Sequence, residues 1–125
     1  MEMNFENTNI LIIGVNSSLG RVLANILSKQ KANIIGTYNK HKLNSNYDIF
    51  KCDITNEDEV KNIIKQEKPD VIIHCAAMTN VDLCEDKVQQ AYDINGNATG
   101  YLAKAADVSS YVLKHGFVTF VLSAL

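Results

Sequence analysis

Ile10-Leu11-Ile12-Ile13-Gly14-Val15-Asn16-Ser17-Ser18-Leu19-Gly20 is the stretch on which the fold turns. Its opening apolar run has the pattern of a strand covered on both faces, not of one with a wet side. A tight turn and then a helical period follow, so both glycines sit between a strand and a helix. That context gives a glycine-rich loop its meaning. Gly14 permits the tight turn, and Gly20 lets helix and strand pack closely. Between them Asn16, Ser17, Ser18 and Leu19 bring backbone N–H groups to a helix N-terminus, where a pyrophosphate can sit. Ser17 stands where the middle glycine usually does; its side chain is small enough for close backbone approach, and its hydroxyl can donate to a phosphate. The competing reading is an ordinary strand-to-helix loop that happens to carry glycines.

Downstream, Leu19, Val22, Leu23, Ile26 and Leu27 fall at i, i+3, i+4, i+7 and i+8, one stripe of an amphipathic helix. Residues 33–38, 48–52 and 71–75 read as further strands, and residues 117–122 as a fifth. Thr55 is placed to cap a helix whose first turn carries Glu57, Asp58 and Glu59, all favourable at the positive end of the helix dipole. Val60, Ile63 and Ile64 form its buried stripe, and Pro69 closes the segment. Residues 87–94 and 95–106 read as helical, as one helix or two, and a weak element at 41–46 carries the chain between the second and third strands. The order β-α-β-β-α-β-α predicts an α/β protein: a Rossmann-type doubly wound parallel sheet with right-handed crossovers. Because the sequence stops just after a buried strand, the expectation is one incomplete domain over residues 1–125, truncated after about the fifth strand.

Composition narrows the class. Of 125 residues, 46% are apolar and 21% charged, as in ordinary soluble domains. The net charge is −2 and the lysines are scattered among acids, so there is no electrostatic footprint for nucleic acid. The apolar runs are too short to span a bilayer, and Met1-Glu2-Met3-Asn4 lacks the basic start of a signal peptide. Cys52, Cys75 and Cys84 form no CxxC pair and fit no zinc spacing; they read as reduced, small apolar side chains, with no metal site expected. A cytoplasmic protein without membrane or nucleic-acid partners is the expectation.

The second strand separates the two nicotinamide dinucleotides. Binders of NAD place an Asp or Glu at its end to hold the ribose 2′-hydroxyl. Here the strand runs out as Thr37-Tyr38-Asn39-Lys40-His41-Lys42, and the next acid is Asp48. Lys40 and Lys42 attract a 2′-phosphate with no carboxylate to repel it, and Asn39 lies beside them. NADP(H) is therefore favoured over NAD(H), against the plainer possibility of a solvated lysine turn.

With these residues in hand, the chain resembles the short-chain dehydrogenase/reductase superfamily in its extended, sugar-nucleotide branch, and within it the dTDP-4-dehydrorhamnose reductases. The likeness runs from about Asn9 to Ala106 and rests on the glycine loop followed by Arg21, on Cys52-Asp53-Ile54-Thr55, on Ala91-Tyr92-Asp93-Ile94-Asn95-Gly96, and above all on Lys68-Pro69-Asp70-Val71-Ile72-Ile73-His74-Cys75-Ala76-Ala77-Met78-Thr79-Asn80-Val81-Asp82-Leu83-Cys84-Glu85. The resemblance implies that Asp53 and Ile54 contact the adenine ring. It also implies that Ala76, Ala77 and Met78 leave room for the cofactor at the carboxyl end of a strand, and that Thr79, Asp82 and Glu85 organise the wall of the active site. His74, inside an apolar strand, reads as a core histidine instead of a catalytic one.

Enzymes of this family reduce a keto sugar with a Ser or Thr after the fifth strand and a Tyr-x-x-x-Lys on the next helix, the tyrosine acting as general acid. The literal matches Tyr38…Lys42 and Tyr47…Lys51 fail on geometry. The pair needs one helix face, where i and i+4 lie about 5–6 Å apart; on a strand they stand roughly 13 Å apart. Ser123-Ala124-Leu125 falls where the family has Ser-Thr-Asp, which leaves Ser123 a weak catalytic candidate. The resemblance thus implies the NADP(H)-binding part of a sugar-nucleotide 4-keto reductase, without the sugar-binding domain and inactive by itself. A nucleotide-sugar substrate is expected only for the complete protein, and self-association through an exposed sheet edge for this chain. The alternative within the branch is a non-catalytic NADP-binding regulatory subunit that partners methionine adenosyltransferase.

Overall fold

The computed structural model describes residues 4–76, 86–108 and 117–119. Strand β1 (Asn9–Ile13) is the central strand, and its residues alternate between two hydrophobic cores. Helix α1 (Ser18–Lys29) returns the chain to β2 (Asn33–Tyr38), and a stretch without regular structure leads to β3 (Asp48–Lys51). Helix α2 (Glu57–Glu67) then leads to β4 (Val71–His74). Next come α3 (Val88–Tyr92), a π-helical turn (Asp93–Asn97), α4 (Ala98–Val108) and β5 (Phe117–Thr119). All the strand pairs are parallel, in the order β3-β2-β1-β4-β5. Strand order reverses between β1 and β4, and outside the carboxyl ends of those strands an open α/β sheet leaves its ligand crevice. The expected doubly wound parallel fold is the one observed.

Ile10 and Ile12 face α1, packing with Ala24, Leu27, Ile34 and Ile73, while Leu11 and Ile13 face α2 and α4, packing with Val60, Ile63, Ile64, Ile72 and Leu102. Burying an isoleucine this fully stabilises by about 1.5–3 kcal/mol. At the other end of the strands, the Asn9 N–H donates to the Asp70 carboxylate at 2.8 Å, and the Asp70 N–H donates to the Asn9 carbonyl at 2.7 Å. This pair of hydrogen bonds to the start of β1 fixes the register of β4. Among the described residues no helix is long and apolar enough to cross a membrane, and no group of His, Cys, Asp and Glu could hold a metal ion.

Several local expectations need correction. The buried side of α1 is Gly20, Ala24 and Leu27 with Leu23 partly covered, whereas Val22 and Ile26 are 54% and 48% exposed. Gly20 sets this face where the helix meets the loop, since a Cβ there would lie 2.5 Å from the Gly14 carbonyl oxygen, and Leu19, Leu23 and Leu27 of the expected stripe pack into the same core. Of the expected stripe, Val22 and Ile26 turn away from that contact. The α2 cap is Asn56, not Thr55: Asn56 Oδ1 accepts from the N–H groups of Asp58 and Glu59, while Thr55 donates its N–H and hydroxyl to Asp53 Oδ1. Lys68 ends α2 in the left-handed region, φ 46°, ahead of buried Pro69. Residues 88–108 are helical throughout, the π-helical turn joining α3 to α4 without a break. Strand β5 spans Phe117–Thr119; residues 120–122 of the expected strand lie outside the described residues. Residues 41–46 have no regular structure.

Candidate functional site

Gly14 follows β1 with φ +75°, a conformation that L side chains rarely adopt. A Cβ there would lie 2.8 Å from the Ala76 nitrogen and 2.9 Å from its Cα, so the ends of β1 and β4 meet at a point with no room for a side chain. The Gly14 N–H donates to the hydroxyl of buried Thr37 at 3.3 Å, and the Val15 N–H donates to the Thr37 carbonyl at 3.0 Å. The turn is thereby hung on β2 as well as β1.

The chain then enters α1 through Ser17, whose hydroxyl oxygen accepts from the Gly20 N–H at 3.0 Å as an N-cap. The N–H groups of Ser18 and Leu19 precede the first intrahelical acceptors, so they are left for an anion at the positive end of the helix. A Cβ on Gly20 would lie 2.5 Å from the Gly14 carbonyl oxygen, which accounts for glycine at both ends of the motif. Asn16 is tied in on both sides. Its backbone carbonyl accepts from Arg21 Nε at 3.0 Å, and its side-chain amide donates to the His41 carbonyl at 3.1 Å.

This turn opens on a cleft of about 700 Å³ at the carboxyl ends of the strands. Ile13, Gly14, Asn16, Ser17, Cys75 and Ala76 line it at the switch point, Thr37 to His41 from β2, Cys52 to Thr55 after β3, and Gln89, Gln90, Asp93 and Ile94 from the far helix. Of the residues singled out in the sequence, Gly14, Asn16, Ser17, Asn39, Lys40, Asp53, Ile54 and Ala76 therefore share one cavity. Ser18, Leu19 and Gly20 form the first turn of α1 beside it. Ala77, Met78, Thr79, Asp82, Glu85 and Ser123 lie outside the described residues. Tyr38 ends β2 and Lys42 lies beyond it, while Lys51 ends β3 and Tyr47 precedes it, so neither Tyr/Lys pair shares a helix.

Local chemistry separates the walls. One Asp53 oxygen is occupied by Thr55, and the Asp53 N–H donates to Glu59 Oε2 at 2.7 Å. Its other oxygen has no partner among the described residues and can accept from a ligand. Burial, helped by the negative charges of Glu59 and Asp53, pushes the Cys52 thiol up to about 11, so it lines the cleft as an inert thiol. Burial likewise raises Cys75. His74 is fully buried, has no hydrogen-bond partner among the described residues, and is held down to about 4 by desolvation. It is a core residue, as read from the sequence, but not a satisfied one.

Sequence reasoning missed Thr37, which anchors the turn, and the helix wall of Gln89, Gln90 and Asp93. On that wall Asp93 Oδ1 accepts from Gln89 Nε2 at 3.0 Å and from Asn97 Nδ2 at 2.9 Å. The i,i+4 spacing of Gln89, Asp93 and Asn97 was the available signal.

Residues 8–118 match the family profile described as RmlD substrate binding domain. The dTDP-4-dehydrorhamnose reductase of Aggregatibacter actinomycetemcomitans is 38% identical over 112 residues, 90% of this chain and 35% of that protein. Methionine adenosyltransferase 2 subunit beta of Danio rerio is 31% identical over 98 residues, 78% of this chain and 29% of that protein. Among solved structures, a hypothetical dTDP-4-dehydrorhamnose reductase from Sulfolobus tokodaii superposes with a TM-score of 0.78 at 32% identity, over 90% of this chain and 38% of that one. The Bacillus anthracis dTDP-4-dehydrorhamnose reductase in complex with NADP superposes with a TM-score of 0.71 at 29% identity, over 92% of this chain and 36% of that one. The chain spans about a third of the length of the curated relatives it matches.

Proposed function

Because this chain belongs to the RmlD substrate binding domain family, we propose that it binds NADP(H) in the switch-point cleft, as the dinucleotide-binding part of a reductase acting on a dTDP-4-keto-6-deoxy sugar. One juxtaposition carries the reading: the Gly14 turn leading into α1 and Lys40 line the same cleft, with no carboxylate at the end of β2. The turn fits a pyrophosphate because Ser17 caps only Gly20, which leaves the N–H groups of Ser18 and Leu19 for an anion. In this reading Asn39 and Lys40 take the 2′-phosphate, Asp53 and Ile54 the adenine, and Ala76, Ala77 and Met78 leave space for the rest of the cofactor. The nicotinamide supplies hydride to the sugar carbonyl. Proton donation needs a Tyr-x-x-x-Lys helix that these 125 residues lack, so this chain binds without turning over.

Parallel titrations with NADPH and NADH test the proposal. We expect a preference for NADPH that shrinks about tenfold in Lys40→Asp, the scale of one charge-assisted hydrogen bond. Equal affinities, or a ratio indifferent to Lys40→Asp, would rule it out. The likeness to methionine adenosyltransferase 2 subunit beta favours a second reading, a regulatory subunit that binds NADP(H) without reducing a sugar. NADPH consumption with a dTDP-4-keto-6-deoxy sugar by the complete protein separates the two.

A further inference from the structure

We propose that Asn16 is a positioning residue for cofactor choice: it latches the stretch carrying Lys40 to the glycine loop, and so sets where the lysine stands relative to a bound 2′-phosphate. The inference rests on Lys40 selecting NADP(H) and adds the device that holds it in place.

Residues 39–47 connect β2 to β3 without regular structure, and Asn39, Lys40, His41 and Lys42 are all exposed. A lysine on such a stretch loses much of its attraction for a fixed anion to the entropy of ordering both side chain and backbone. Among the described residues, one hydrogen bond joins residues 39–46 to another part of the fold: Asn16 Nδ2 to the His41 carbonyl, 3.1 Å. His41 is the neighbour of Lys40, so this bond fixes the backbone next to the charge. Asn16 is itself held, since Arg21 Nε donates to its carbonyl at 3.0 Å from the first turn of α1. A rigid helix end, the phosphate turn and the lysine stretch are thus joined through one residue, Asn16, by its carbonyl and its side-chain amide.

Asn16→Ala and the near-isosteric Asn16→Leu both remove the donor, and the second preserves side-chain volume in case the first perturbs folding. In the 125-residue chain each should weaken NADPH binding by about three- to tenfold, the scale of one hydrogen bond. NADPH should lose about that factor more than NADH does, and the dependence of NADPH affinity on salt should flatten. In Lys40→Ala the same replacements should cost nothing further, because the latch acts through the lysine. Equal loss for NADPH and NADH would place Asn16 on the shared pyrophosphate and overturn the inference. So would no loss for either, or losses that simply add to that of Lys40→Ala. If Lys40→Ala is silent while Asn16→Ala still changes the ratio, the underlying assignment of Lys40 fails instead.

Discussion

Replacing Gly14 by alanine adds one methyl group whose place is already fixed. It would lie 2.8 Å from the Ala76 nitrogen and 2.9 Å from both the Cα and Cβ of Ala76. Carbon contacts settle at about 3.5–4.0 Å, so the ends of β1 and β4 must part by roughly 0.6–1 Å. Two of the opposing atoms are backbone, which leaves no rotamer to relieve the overlap. Overpacking of this kind costs about 1–3 kcal/mol. The φ of +75° adds about 1–2 kcal/mol for an L residue. A destabilisation of about 2–5 kcal/mol is therefore expected, a large share of the 5–15 kcal/mol that typically holds a domain. The same substitution at Gly100 provides the control, because a Cβ there meets nothing within 4 Å and the residue lies in α4. It should stabilise by about 0.5–1 kcal/mol. Urea unfolding followed by circular dichroism gives both values, and NADPH titration of the folded variants gives the functional consequence. Gly14→Ala should no longer bind, and Gly100→Ala should bind as the parent does. A Gly14→Ala protein within about 0.5 kcal/mol of the parent, binding NADPH normally, would refute the steric account and the phosphate turn with it.

His74 makes stability pH-dependent. Its folded value, about 4, lies below the ordinary 6.5, so between these values the unfolded chain binds more protons. Stability is then full above pH 6.5 and falls as pH drops toward 4, by about 2 kcal/mol at pH 5; urea melts at pH 7, 6 and 5 should show a steeper decline in the parent than in His74→Leu, and parallel slopes would contradict it. Lys68 holds a left-handed conformation ahead of Pro69, so Lys68→Gly should raise stability by about 0.5–1 kcal/mol, and an unchanged or lower melting temperature would count against that. Asn56→Ala removes the acceptor for the N–H groups of Asp58 and Glu59 and should cost about 1 kcal/mol, whereas Thr55→Ala should cost less; the reverse order in thermal melts would restore Thr55 as the cap.

The sheet was legible because parallel strands covered on both faces advertise themselves as short apolar runs. Residues 33–38 were located to the residue, and the other well-described strands to within one. The small discrepancies have a cause. Cys52 and Cys75 donate their N–H groups to the carbonyls of Tyr38 and Ile13, continuing the ladders one bond beyond the strands. The inner face of α1 was legible in part: Leu19, Leu23 and Leu27 pack inward as the stripe predicts, but hydrophobicity also weights Val22 and Ile26 and ignores Gly20 and Ala24, while close packing does the opposite. The cap at Asn56 was hidden by a threonine immediately before it. For the cleft, the sequence supplied the residues of the turn and of the strand ends, whose spacing is local. It did not supply Gln89, Gln90 and Asp93, which reach the cleft only through the crossover that carries α3 over the sheet.

The glycine loop shows why a local motif is an incomplete account of its own site. Gly20 admits the carbonyl of Gly14, a contact within the motif, but Gly14 admits the backbone of Ala76, just past the end of β4. The residue between them that is fully buried, Val15, answers to one the motif does not contain. A Cβ on Gly36 would lie 2.6 Å from Val15 Cγ1, which means that the valine occupies the space a side chain on β2 would fill. Next along β2, Thr37 receives the N–H groups of both Gly14 and Val15. The turn is therefore seated on Gly36-Thr37 as well as on β1. Turn and lysine share that strand: the first rests on β2, and Lys40 lies just past its end, next to the residue that Asn16 ties back to the turn.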